Sequence, residues 1–331
     1  MTTPSKTKLR PFTLEDAQEA VDLMNASSQA LLGVNDSELD EMLEYWTTPG
    51  FDSEKTVRVL EDDQGALIGY IEVWDISQPY VTKYVWGTMH PARWDDDCFQ
   101  YMLRWAEECS CERIPLAPED ARVVMNYATI DKDIRCKQAL EDYGYELIRN
   151  FYRMVIDLDQ APPVPVIPDG LTIAPIQIES ELREAVIALE DAFADHWGHV
   201  ERSLDELLEQ WEHRIANNAD FDPGLWFLAK DGDEIAGVCR CTNKTIEDPD
   251  MGWVNQLSVR KPWRRRGLGM ALLLTGFNEF YRRGRRRVGL GVDAASLTNA
   301  TYLYEKAGMH MTRQFETYEM ELRPGKDLAT K

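Results

Sequence analysis

The residues best suited to do chemistry lie in one stretch, Val259 to Gly269, reading VRKPWRRRGLG. A short apolar run, Val254 to Val259, leads into it, and a helical pattern from Met270 to Arg283 leads out. A strand, a basic glycine-containing turn and a helix start together make an anion site. Backbone N–H groups converge there and the helix dipole adds partial positive charge. The absent side chains at Gly267 and Gly269 let a phosphate approach the backbone. A second basic run, Arg282 to Arg287, closes the same helical segment. Cations are favoured at a helix C-terminus in any case, so a solvated helix end is its first reading and a phosphate contact its second.

The cysteines offer less. Cys109 and Cys111, and Cys239 and Cys241, form two tight pairs, but no His or Cys accompanies them at zinc-ligand spacing. On a strand, Cys239 and Cys241 would share a face. They read as small core residues, with no metal expected.

The elements that must hold the glycine loop repeat along the chain. The segment Asp159 to Gly170 carries Pro162, Pro163, Pro165 and Pro168 and breaks any helix or strand pattern. It suggests a linker over 161–170 between domains at 1–160 and 171–331. Each half opens with an alternating segment and an acidic amphipathic helix. Each then has an Asp/Gly turn, Asp62 to Gly65 and Asp231 to Asp233, entering a strand with an interior glycine, Gly69 and Gly237. Each ends with a helix closed by glycine, Gly144 and Gly308, and a final alternating strand, clearest at Tyr152, Met154, Ile156 and Leu158. Gly69 and Gly237 stand 168 residues apart, Gly144 and Gly308 164 apart, as a tandem duplication of one α/β unit requires. The loop itself is not repeated. The first half has His90 to Cys98 there, without glycine and with Asp95, Asp96 and Asp97 where an anion would sit. Like charges would repel a polyphosphate. The first half therefore keeps the plan without the cofactor loop.

Bulk properties narrow the class. The chain has 331 residues, 44% hydrophobic and 28% charged, enough for two cores. Its net charge of −22 disfavours nucleic acid as a partner. No apolar run approaches the roughly 20 residues a bilayer requires, and MTTPSKTKLRPF lacks a signal-peptide core. A soluble cytoplasmic protein is expected, acting as monomer or homodimer.

Arg264-Arg265-Arg266-Gly267-Leu268-Gly269 resembles the Q/R-x-x-G-x-G/A signature of the GNAT acetyltransferase superfamily. Leu303-Tyr304-Glu305-Lys306-Ala307-Gly308-Met309 resembles the family's L-Y-E-K-x-G-F helix, and Val288 to Asp293 its fifth strand. The tandem layout resembles two-domain members of the mycothiol synthase kind. The resemblance implies a mixed α/β fold: two tandem domains, each a mostly antiparallel twisted sheet with helices on both faces. It implies acetyl transfer from acetyl-CoA to a small-molecule amine in a ternary complex, run by the second domain. Leu257, Ser258 and Val259 would pair with the pantetheine arm, the Leu257 amide polarising the thioester carbonyl. Arg264, Arg265, Arg266, Gly267, Leu268, Gly269 and Met270 would hold the pyrophosphate. Tyr304 would act as general acid toward the departing thiolate. The family often has Asn where this chain has Ser296, and Asn299 replaces a common small residue; both are candidate CoA contacts.

The acceptor side is thinner. Members often carry Glu on the strand before the loop, where this chain has only Asn255 and Gln256. Asp195 to His199 falls where members line the acceptor pocket. His196 is a candidate base, titrating near neutrality, with Trp197 and Asn255 as candidate substrate contacts. Alternatives are a CoA-binding sensor or scaffold without turnover, and transfer from a longer acyl-CoA.

Overall fold

The computed structural model describes residues 7–218, 220–296 and 299–330. The described residues pack as two compact units: one of residues 7–149 and 315–328, the other formed by those within 150–314 together with 329–330.

Unit 1 contains β1 (Lys8–Pro11), α1 (Ala17–Leu32), α2 (Leu39–Trp46), α3 (Ser53–Thr56), β2 (Val57–Glu61), β3 (Leu67–Trp74), β4 (Thr82–Met89), α4 (Asp96–Glu112), β5 (Val123–Ile130) and α5 (Ile134–Tyr143). Two strands straddle the units, β6 (Glu146–Asp157) and β12 (His310–Arg323). Unit 2 contains β7 (Leu171–Pro175), α6 (Ile178–Phe193), α7 (Leu204–Asn217), β8 (Trp226–Asp231), β9 (Glu234–Thr242), β10 (Met251–Val259), α8 (Leu268–Arg282), β11 (Arg287–Asp293) and α9 (Ala300–Lys306).

The sheet of unit 1 runs β1-β2-β3-β4-β5-β12 and that of unit 2 runs β6-β11-β10-β9-β8-β7. Neighbours are antiparallel except β4 with β5 and β10 with β11. Strand alternation sends side chains to two faces, and helices cover both. In unit 1, Val57, Val59 and Tyr70 pack with α1 and α2, whereas Leu60, Ile71 and Val73 pack with α4 and α5. In unit 2, Phe227 and Ala229 pack under α8, whereas Trp226 and Leu228 pack under α6 and α7. The mixed α/β, mostly antiparallel architecture is the expected one, and the Asp/Gly turns form the β2–β3 and β8–β9 hairpins.

The division of the chain departs from the expected boundaries of 1–160, 161–170 and 171–331. The alternating strand at Tyr152 to Ile156 pairs with β11, Val288 opposite Ile156 and Val292 opposite Tyr152. The last strand of the chain pairs instead with β5, Tyr318 opposite Tyr127. Each half thus lends its final strand to the other unit. Alternation states which face a residue takes and says nothing of which strand lies beside it.

Candidate functional site

The site is built on the opening between β10 and β11. Their parallel pairing runs from Met251–Arg287 to Val254–Leu290 and stops, while β10 continues to Val259 beside β9. A register shift between Val254 and Gln256 makes Asn255 a bulge. In an antiparallel pair, hydrogen-bonded positions alternate. Arg260 N–H donates to Ala236 O at 2.9 Å, so Ser258 and Gln256 also bond toward β9. Leu257 and Val259 consequently direct their backbone groups to the other side, into the opening. Ser258, expected among the cofactor contacts, has its backbone taken by β9, and its buried Oγ has no described partner.

At the C-terminal end of β10 the glycine loop begins α8. Arg265 (φ 64°) and Gly267 (φ 86°) are both left-handed, which folds the loop tightly against the helix start. Gly267 is the N-cap and no side chain caps the helix, so the amides of Leu268, Gly269 and Met270 present donors to an anion. The Gly269 Cβ position meets only Leu303 and Val259 side chains at 3.7 Å and beyond. The helix begins at Leu268, two residues before the expected Met270.

The three arginines separate in role. Arg264 donates through Nε to Val259 O, through NH2 to Ala192 O, and through NH1 and NH2 to both oxygens of Asp195 at 2.6 and 3.0 Å. It clamps the loop to the end of α6 and has one N–H left for a phosphate. The Arg264 guanidinium holds the Asp195 carboxyl down to about 2. Arg265 and Arg266 are exposed beside the helix start. The second basic run is engaged locally: Arg282 and Arg283 with Glu279, Arg285 with Asp250, Arg286 with Tyr281 O, Arg287 with Asp248. That is the helix-end reading.

Tyr304, on α9, belongs to the core under α8 and is 7% exposed. Burial, with a smaller contribution from Cys239, raises its phenol, which stays protonated at neutral pH. Ser296 lies just after β11, its N–H donating to Asp293 O, and Asn299 (φ 57°) starts α9. His196 sits in the turn after α6, edge-on to Phe193 at 4.6 Å. Burial lowers its imidazole against the opposing pull of Asp195, so it is neutral at pH 7. Trp197 lies 6.3 Å from Phe151, and Asn255 is exposed at the bulge. The fold thus brings Val259, at the end of β10, beside Gly269 at the start of α8. His196 and Trp197 follow α6, whose end Arg264 ties to the loop, and Tyr304 lies in the core under α8. Sequence reasoning quoted Asp195 without a role; its partnership with Arg264 spans 69 positions and carries no local signal.

The matching place in unit 1 is filled by the chain itself. His90 N–H donates to Ile68 O at 2.9 Å, as Arg260 does to Ala236, so Gly87 corresponds to Leu257. β4 and β5 part after Val85 and Tyr127. The Tyr127 hydroxyl then accepts from Gly87 N–H at 3.0 Å and donates to Gly87 O at 2.5 Å. At the start of α4 the Asp95 carboxylate accepts from Cys98 N–H at 2.9 Å. A phenol and a carboxylate of unit 1 therefore occupy the donors that unit 2 leaves open.

Cys239 and Cys241 share the α8 face with their sulfurs 3.7 Å apart. Among the described residues no cluster could hold a metal, and no helix is long and apolar enough to cross a membrane.

Comparison with known proteins bears on the same region. The model of the Acetyltransferase (GNAT) family matches residues 186–309. A mycothiol acetyltransferase of Thermobispora bispora is 32% identical over 170 residues, which is 50% of this chain and 55% of that protein. The chain therefore aligns with about half the length of the curated relatives it matches. The crystal structure of a GCN5-related N-acetyltransferase from Sphaerobacter thermophilus is 31% identical, with TM-score 0.83 and 100% of both chains covered. A tandem GNAT protein from the clavulanic acid biosynthesis pathway has TM-score 0.73 at 14% identity, covering 97% of this chain and 100% of that one, a likeness of fold.

Proposed function

Because the chain belongs to the GCN5-related N-acetyltransferase (GNAT) family, we propose that it transfers an acetyl group from acetyl-CoA to the amine of a small molecule, with the reaction in unit 2. One observation carries the reading. The β10–β11 opening leaves the Leu257 backbone and the Val259 N–H unpaired by a neighbouring strand, beside the uncapped start of α8. A thioester arm bound as an added strand fits the first, and a pyrophosphate fits the second.

Bound there, acetyl-CoA supplies a carbonyl carbon open to attack by the amine. Val259 N–H would pair with the pantetheine arm, and the Leu257 N–H would meet the carbonyl oxygen where negative charge develops. Arg265 and Arg266 would add charge-assisted contacts to the phosphates. As the new C–N bond forms and the C–S bond breaks, Tyr304 would give its proton to the sulfur. His196, neutral and on the acceptor side, is the titratable group offered for the amine proton. Unit 1, with Tyr127 and Asp95 on the equivalent donors, is read as cofactor-free.

Titration of acetyl-CoA into the protein tests the reading calorimetrically. The parent should bind, and Gly267→Asp should lose most of the affinity, because a carboxylate enters the phosphate position. Equal affinity of the two would refute it. A second reading, CoA binding without turnover, is favoured by the lack of a titratable side chain at Asn255 and Gln256. Release of free CoA thiol with any amine would exclude it.

A further inference from the structure

Under α7 in unit 2, two facing side chains carry hydrogen-bond donors that have no acceptor among the described residues. Strand alternation turns Cys239 and Cys241 toward α8 and Arg240 toward the opposite face, beside the α7 residue Trp211. The Arg240 guanidinium lies 5.1 Å over the Trp211 ring, and its Nε donates to Gln256 Oε1 at 2.9 Å. Its remaining N–H groups donate to no described residue, and it enters no ion pair among the described residues. Directly across the ladder from Arg240 is Trp226, 1% exposed, its ring 5.2 Å from Trp211. The Trp226 indole N–H is buried and has no partner among the described residues.

Each of these facts runs against ordinary economy. A desolvated guanidinium is normally paired with a carboxylate. A buried indole N–H normally finds an acceptor, and leaving that bond unmade is destabilising. The chain carries 58 acidic residues, so carboxylates were available. Gln256, which has used its acceptor oxygen on Arg240, immediately precedes Leu257.

We propose that Arg240 and the Trp226 indole N–H form an oxyanion-binding subsite for the acceptor, so that the amine acetylated also carries a carboxylate or a phosphate. This rests on the acetyltransferase reading above. Arg240 supplies a planar pair of N–H donors, the geometry suited to both anions, and Trp226 adds a third. Placed next to the residue before Leu257, the anion would fix the far end of the acceptor while its amine reaches the opening. Arg240 is thus a specificity residue.

The test uses matched amines: 4-aminobutyrate against its carboxamide, and glucosamine 6-phosphate against glucosamine. Each is titrated into the free protein and into protein saturated with CoA, and each is assayed for turnover with acetyl-CoA. The parent should prefer at least one anionic member of a pair by about tenfold or more in KM or Kd; which pair discriminates separates carboxylate from phosphate. Arg240→Gln should collapse that ratio toward one, Arg240→Lys should leave part of it, and Trp226→Phe should reduce it while keeping the ring. Acetyl-CoA affinity, measured alongside for each variant, reports whether the fold is intact. The inference is overturned if the parent shows no preference for either anion, or if Arg240→Gln and Trp226→Phe both retain it. Failure to bind acetyl-CoA would instead sink the transferase reading, while the anion preference is still read in the free protein.

Discussion

Glu72 is buried on β3, receiving the Tyr45 hydroxyl at 2.6 Å and the Tyr70 hydroxyl at 2.5 Å, with Trp46 Nε1 donating on to Tyr70. Burial raises its carboxyl from 4.5 to about 7, the two phenols opposing. A carboxyl that holds its proton more tightly when folded stabilises the fold at low pH. Its contribution should be fully present below pH 4.5 and decline as pH rises to about 7. Glu72→Gln should remove that part of the pH dependence, measured as unfolding free energy by denaturant titration between those limits. An unchanged slope would mean that Glu72 titrates normally. The same logic of burial governs Tyr304, whose phenol is raised and so remains a proton donor. Tyr304→Phe should lower kcat by about 10²-fold while acetyl-CoA affinity stays near that of the parent. A kcat within a few-fold of the parent would leave Tyr304 as a core residue only. The tyrosine was legible through its sequence frame, whereas the Glu72 environment was not, because the Tyr45 phenol comes from α2, 27 residues away, to join Tyr70 of the same strand.

At the scale of elements, β10 and α8 must be seated closely for the opening and the helix start to meet. Gly252 on β10 makes this possible: a Cβ there would lie 2.4 Å from the Phe280 ring on α8. Gly252→Ala should therefore destabilise unit 2 by about 1–3 kcal/mol and weaken acetyl-CoA binding as α8 shifts, both readable by denaturation and calorimetry. An alanine that costs nothing would show that Phe280 swings aside freely. Much of this element-level picture could be read in advance. The glycine loop between an apolar run and a helical period marked the strand–loop–helix unit, and the Asp/Gly turns marked the hairpins. The bulge at Asn255 could not be read, since a bulge reflects the mismatch of two strands far apart in sequence. Nor could the engagement of Arg264, which looked equivalent to Arg265 and Arg266 until Asp195 was brought beside it.

For the whole molecule, the duplication yields two units of one plan and unequal openings. With Tyr127 on Gly87 and Asp95 on Cys98, unit 1 keeps its donors satisfied internally. The protein should bind one acetyl-CoA per chain, and Gly267→Asp should abolish the single binding event rather than halve a double one. A calorimetric stoichiometry of two would overturn this division of labour.

The sequence by itself determined the repeated plan, the α/β class and the position of the glycine loop. These rest on local periodicity, turn residues and short spacing, which the chain carries in linear order. It also marked the three aspartates of the first copy, though only as a repulsion. Tertiary structure decided which strand completes which sheet, that Tyr127 fills the opening of unit 1, and that Arg240 stands across the ladder from Trp226, whose indole N–H has no partner among the described residues. Those outcomes depend on partners contributed by distant segments, and face alternation constrains orientation without naming the neighbour.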